Sequence, residues 1–134
     1  MKGSWPIVLF AFAILLVSFL FTRVTIHPKI MPSKEAMVTQ IHQYESALRQ
    51  YFLDSGVYPT TEQGLEALIV RPTKPPASEL WRGPYLSPAV VKKDPWYHDL
   101  IYTNPGTHNT NSYDLFSAGP DGIPGTKDDV GNWQ

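Results

Sequence analysis

The stretch Ser33-Lys34-Glu35-Ala36-Met37-Val38-Thr39-Gln40-Ile41-His42-Gln43-Tyr44-Glu45-Ser46-Ala47-Leu48-Arg49-Gln50-Tyr51-Phe52-Leu53-Asp54-Ser55-Gly56 decides the architecture. Apolar residues recur at Met37, Ile41, Tyr44, Leu48, Tyr51 and Phe52, at steps of four, three, four, three and one, which marks one face of a helix. His42, Gln43, Glu45, Arg49 and Gln50 fall on the other side. Ser33 is a good N-cap, because its hydroxyl can accept one of the unpaired N–H groups of the first turn. The helix runs to about Asp54, and Gly56 stops it by entering the left-handed region without a Cβ penalty. A helix with one apolar face must be covered, and the rest of the chain has to supply the cover.

Upstream, residues 3–22 are 20 positions without a charge, bracketed by Lys2 and Arg23. As a helix they would span about 30 Å, the hydrocarbon thickness of a bilayer. No polar stripe interrupts them, which suits lipid on all sides, and Trp5 stands where an interfacial aromatic belongs. A cleaved secretory signal is the competing reading, but such cores are shorter and no small-x-small cleavage site follows Phe21. The expectation is a transmembrane anchor over 1–27, followed by a single domain over 28–134 that includes the amphipathic helix. Pro28 and Pro32 interrupt the chain as it leaves the membrane. Lys2 lies on one side of the span and Arg23, Lys29 and Lys34 on the other, so charge alone favours a cytoplasmic head.

Downstream, Tyr58-Pro59-Thr60-Thr61-Glu62-Gln63-Gly64-Leu65-Glu66-Ala67-Leu68 opens with a capping box, Thr60 serving the N–H of Gln63 and Gln63 reaching back to Thr60. This predicts a short helix to about Val70. Pro72, Pro75 and Pro76 then forbid regular structure, and Pro84-Tyr85-Leu86-Ser87-Pro88 and Asp94-Pro95-Trp96 read as turns carrying aromatic plugs. Leu100-Ile101-Tyr102-Thr103 and Ser112-Tyr113-Asp114-Leu115-Phe116-Ser117 are strand-like. Asn104-Pro105-Gly106 and the polar residues 107–111 between them predict a hairpin.

Composition removes several function classes. A net charge of -1 lacks the surplus of Lys and Arg that a nucleic-acid binder needs. The absence of Cys excludes a disulfide scaffold, a thiol nucleophile, an iron–sulfur cluster and a Cys-ligated zinc. His27, His42, His98 and His108 show no metal-ligand spacing, and there is no G-x-S-x-G elbow or phosphate-cradling glycine loop. Thirteen Pro and nine Gly predict a loop-rich body.

One segment carries chemistry: Ser117-Ala118-Gly119-Pro120-Asp121-Gly122-Ile123-Pro124-Gly125-Thr126-Lys127-Asp128-Asp129-Val130. Three carboxylates and one Lys fall within nine residues, on a stretch that turn residues fold back on itself. Carboxylates so confined repel one another unless they are protonated or bridged by a cation. Ca²⁺ takes oxygen ligands in an irregular cage, and Gly119, Gly122 and Gly125 would let backbone carbonyls turn inward to complete it. With no nitrogen or sulfur ligand the set argues against zinc. The spacing is not that of an EF-hand, and a solvated Asp/Gly turn is the plain alternative. A catalytic carboxylate pair is a third reading, for which the sequence offers no opposing nucleophile or base.

The Tyr58–Leu68 block, Gly83-Pro84-Tyr85-Leu86, Asp94-Pro95-Trp96, and Tyr113-Asp114-Leu115-Phe116-Ser117-Ala118-Gly119-Pro120-Asp121-Gly122 closing on Asp128-Asp129-Val130-Gly131-Asn132-Trp133 resemble the major pseudopilins, the G subunits, of type II secretion systems. The resemblance runs from about Met37 to the C-terminus. It implies an α+β, pilin-like fold, with a long N-terminal helix that starts in the inner membrane and packs on a small antiparallel sheet. It implies a C-terminal loop that binds Ca²⁺, with Asp121, Asp128 and Asp129 at the positions of the family's side-chain ligands and backbone oxygens near Ala118 and Ile123 as companions. It implies a non-enzymatic, mechanical role: a single-pass inner-membrane subunit with a periplasmic head. Such a subunit joins other pseudopilins and inner-membrane secretion components, self-assembles into a filament, and helps move folded proteins across the outer membrane. No nucleic acid and no small-molecule substrate are implied. Two departures stand out. Val8 occupies the place of the family's early Glu, after Gly3-Ser4-Trp5 rather than Gly followed by Phe, which leaves a non-polymerising, membrane-anchored assembly module as the alternative. Tyr97-His98 replaces the Gly-Asn that usually follows Asp-Pro-Trp.

Overall fold

The computed structural model describes residues 32–76 and 79–134. The anchor expected over 1–27 lies outside these residues, and among the described residues no helix is long and apolar enough to cross a membrane. The first helix, α1, spans Lys34–Ser55, and its caps are those the sequence predicts. The Ser33 hydroxyl accepts the Ala36 N–H at 3.1 Å, and Gly56, at φ 75°, donates its N–H to the Phe52 carbonyl at 2.7 Å. Met37, Ile41, Tyr44, Ala47, Leu48 and Tyr51 are buried. Phe52 departs from the predicted face. It is 38% exposed, because neighbours in a helix point about 100° apart and Tyr51 already takes the inward direction. Its ring rests on Tyr58 instead, with centroids 4.8 Å apart.

The capping box forms in both directions: Gln63 N–H donates to Thr60 Oγ1 at 3.2 Å and Thr60 N–H to Gln63 Oε1 at 3.0 Å. The helix that follows is shorter and tighter than predicted, a four-residue 3₁₀ turn over Leu65–Leu68. Gly64, at φ 57° and ψ -165°, interrupts helical geometry between the box and the apolar residues. Strands β1 (Ile101–Thr103) and β2 (Asp114–Ser117) pair antiparallel as the expected hairpin, with Tyr102 opposite Leu115. A third strand with no signal in the residue pattern, β3 (Val130–Gly131), pairs with β2 and completes a sheet of order β1-β2-β3. Its register sets Ser117 opposite Val130.

The main core joins Tyr44, Ala47, Leu48 and Tyr51 of α1 to Leu65, Ala67 and Leu68 of the 3₁₀ turn and to Tyr102, Tyr113 and Leu115 of the hairpin. A smaller cluster of Met37, Ile41 and Val130, flanked by Trp96 and Leu100, fastens β3 to the first half of α1. The proline-rich connection carries the aromatic plugs expected of it. Tyr85 packs edge-on against both Tyr51 and Trp81, at 5.6 Å in each case, and Trp81 Nε1 donates to the Ala67 carbonyl at 2.9 Å. Burial of large aromatic surface therefore stands in for regular structure over this segment.

Candidate functional site

Residues 118–129 leave the sheet at Ser117 and return to it at Val130, and these two residues face each other across the β2–β3 pair. The loop is thus a closed excursion with both feet in the core: Ser117, Ala118, Asp129 and Val130 are all buried. Between the feet the chain turns on glycines, with Gly119 at φ 67° and Gly122 at φ 68°. At Gly119 the requirement is double. A Cβ there would lie 2.4 Å from the Asp128 carbonyl oxygen and 2.7 Å from its Oδ2, so the outgoing and returning limbs touch only because the side chain is absent.

Each predicted carboxylate is engaged by donors of the loop itself. Asp121 is exposed, and its Oδ1 accepts the Ile123 N–H at 2.8 Å. Asp128 accepts the Asp121 N–H on Oδ2 at 3.2 Å and the Thr126 hydroxyl on Oδ1. The Thr126 hydroxyl has the largest influence on the Asp128 carboxyl and, with the Asp121 N–H, lowers its pKa against the opposing effect of desolvation. Asp129 is 9% exposed. Its Oδ2 accepts the Gly125 N–H at 2.8 Å, while Oδ1 is buried and has no hydrogen-bond partner among the described residues. Ala118 is buried and Ile123 exposed.

The fold thus brings Asp121 to Asp128 through a backbone N–H, and sets Asp129 beside them in sequence but deeper in the protein. Among the described residues no three acidic or histidine side chains converge tightly enough to form a ready-made metal cage. The loop does present an oxygen-only donor set with one buried, unsatisfied carboxylate oxygen. Such an oxygen is costly unless a proton or a cation reaches it. This donor chemistry fits a hard divalent ion.

Two further carboxylates, Asp94 and Asp114, which residue type and spacing do not mark as functional, organise the surroundings. Asp94 is buried, and its Oδ1 accepts the N–H groups of Trp96 and His98 at 2.9 and 2.8 Å, while Oδ2 accepts the Ser117 hydroxyl at 2.5 Å. Asp114, 1% exposed, gathers the hairpin loop by accepting from the N–H groups of Thr107, His108 and Asn109 at 2.7–2.9 Å. Burial pushes its pKa up, but the N–H groups of His108, Asn109 and Thr107 and the His108 ring prevail and bring it down to about 2. The signal for Asp94 was the Asp-Pro-Trp turn itself, since an Asp ahead of a turn caps the N–H groups that follow. His108 packs: its ring lies flat on Trp133, centroids 3.8 Å apart, and contacts Asp114. The Tyr97-His98 departure is accommodated by a left-handed Tyr97, at φ 72°.

With known proteins the agreement is extensive. A family model described as type II secretion system (T2SS), protein G, matches residues 29–133. The type II secretion system core protein G of Escherichia coli is 44% identical over 114 residues, covering 79% of this chain and 74% of that protein. Its counterpart in Klebsiella michiganensis is 43% identical over 112 residues, covering 79% and 76%. That of Vibrio cholerae is 42% identical over 114 residues, covering 79% and 75%. The crystal structure of the major pseudopilin from the type 2 secretion system of enterohaemorrhagic Escherichia coli superposes with a TM-score of 0.66 at 42% identity, covering 75% of this chain and 82% of that one.

Proposed function

The chain belongs to the type II secretion system protein G family, and from that premise we propose that it is a structural, non-enzymatic pseudopilin subunit of a type II secretion apparatus. It works by assembly rather than by catalysis, alongside other pseudopilins and inner-membrane secretion components, to export folded proteins across the outer membrane. The observation that carries the reading is the continuous family match over 29–133, which takes in α1, the sheet and the whole of the C-terminal loop. The anchor over 1–27 ties the subunit to the inner membrane, and the head lies in the periplasm. The test is removal of the chain from its native cell. Exported proteins should accumulate behind the outer membrane and be released again when the chain is restored; undiminished export refutes the role. Val8, in place of the family's early Glu, motivates the second reading, a membrane-anchored assembly module that does not polymerise. N-terminal sequencing from native membranes and cysteine cross-linking along the first helix separate the two, since only a filament gives ladders.

The head is stabilised by Ca²⁺ bound in the 118–129 loop. The ligands are the side chains of Asp121, Asp128 and Asp129, with backbone oxygens near Ala118 and Ile123. The buried, unpartnered Oδ1 of Asp129 and the oxygen-only donor set support this reading. The ion supplies positive charge to carboxylates that otherwise repel, so its binding adds to folding free energy. For the full chain in detergent, chelator should lower the melting temperature, and Ca²⁺ but not equal Mg²⁺ should restore it. Melting indifferent to Ca²⁺ removes the site.

A further inference from the structure

The buried residues beneath the loop do more than fill space. Gly119 N–H donates to Ser117 Oγ at 3.0 Å, and Ser117 Oγ–H donates to Asp94 Oδ2 at 2.5 Å. The Gly119 N–H and the Ala118 carbonyl belong to one planar trans peptide unit, so fixing the N–H toward Ser117 turns the Ala118 oxygen the opposite way. The next peptide unit is held as well. His98 Nδ1 lies 3.0 Å from the Gly119 carbonyl oxygen, which can only accept, so that nitrogen carries the proton. His98 is itself fixed by its own N–H on Asp94 Oδ1. One carboxylate therefore anchors the two successive peptide units that open the loop, the first through the Ser117 hydroxyl and the second through the backbone N–H of His98, whose ring reaches the Gly119 carbonyl. Those units lie directly against Asp128, whose Oδ2 is 2.7 Å from where a Gly119 Cβ would be.

We propose that Asp94, Ser117 and His98 are positioning residues for the metal loop, holding the peptide units after Ala118 and Gly119 in the orientation that offers the Ala118 oxygen to the ion before the ion arrives. This rests on the calcium reading given above. Donors prearranged by a second layer of hydrogen bonds bind an ion without first having to be ordered, and loss of that layer typically costs 10–100-fold in metal affinity.

The experiment is calorimetric titration of Ca²⁺ into the full chain in detergent, comparing wild type, Ser117→Ala, His98→Ala and Leu48→Ala. Leu48 is fully buried in the main core, away from the loop, so its truncation lowers stability without touching the network. Ser117→Ala should weaken Ca²⁺ binding about tenfold, and His98→Ala several-fold, while Leu48→Ala leaves the affinity within about twofold despite its lower melting temperature. Gly119 amide exchange in Ca²⁺-free protein should quicken in Ser117→Ala only. His98 has a partly exposed ring, so His98→Ala decides the matter if Ser117→Ala does not fold. Wild-type affinity in the folded network variants overturns the positioning role and leaves the calcium site standing. No binding by the wild type overturns both.

Discussion

Asp114 makes the hairpin loop acid-sensitive, and the size of the effect follows from its surroundings. The carboxylate is 1% exposed and accepts three backbone N–H bonds, which with the His108 ring bring its pKa from 3.8 to about 2. A carboxyl whose folded pKa is depressed contributes stability that is fully present above its unfolded value and is lost as pH falls through the folded one. A gap of nearly two pH units at about 1.4 kcal/mol each gives roughly 2.5 kcal/mol, most of which should vanish between about pH 4 and pH 2. Asp114→Asn removes the titration while keeping the shape, and it leaves an amide NH₂ facing N–H donors. Urea unfolding of the full chain in detergent, followed by Trp fluorescence, gives the stability gap between wild type and variant. The gap should be largest near pH 5.5 and shrink by about 2 kcal/mol by pH 2, the remainder going below the folded pKa. A gap of the same size at both ends would mean that Asp114 does not hold its charge through those N–H bonds, and the account of the hairpin loop fails with it.

Other outcomes follow from single contacts. Tyr97 is 81% exposed and sits at φ 72°, so Tyr97→Gly gives up little packing and relieves about 1 kcal/mol of left-handed strain; the melting temperature should rise by a few degrees. A Cβ at Gly106 would fall 2.4 Å from Asp114 Oδ1 and 2.8 Å from its backbone nitrogen, so Gly106→Ala should destabilise by about 2 kcal/mol, read from the urea midpoint. In chelator, Asp129→Ala should melt close to wild type, because it deletes an unsatisfied buried oxygen along with one hydrogen bond. At about 5 mM Ca²⁺ the wild type should gain roughly 2 kcal/mol if its dissociation constant is near 10⁻⁴ M, and the variant none. An equal Ca²⁺ shift in both would exclude Asp129 as a ligand.

The features legible in the chain were those whose causes are local. Ser33 and Gly56 mark the ends of α1 because a cap is an interaction over three or four residues. Thr60 and Gln63 form their box for the same reason. The β1–β2 hairpin was visible because an apolar, β-branched run and an aromatic one flank a turn-rich loop. The acidic loop and its place in the family could be read from residue types and their order. Two residues have no period, so β3 was invisible: it exists because Ser117 pairs with Val130 and Val130 is buried against Met37 and Ile41. The Asp94–Ser117 bond joins residues 23 apart in sequence, and nothing in either neighbourhood announces the other.

The amino-acid order by itself thus determined where the helix begins and ends, which runs pair as a hairpin, and which carboxylates share a loop, since each depends on neighbours a few bonds away. Tertiary structure alone decided which oxygens of that loop are buried, which peptide units are held, and which carboxylate oxygen is left without a hydrogen-bond partner among the described residues. Those outcomes depend on desolvation and on donors from distant segments, and both exist only once the chain has closed on itself.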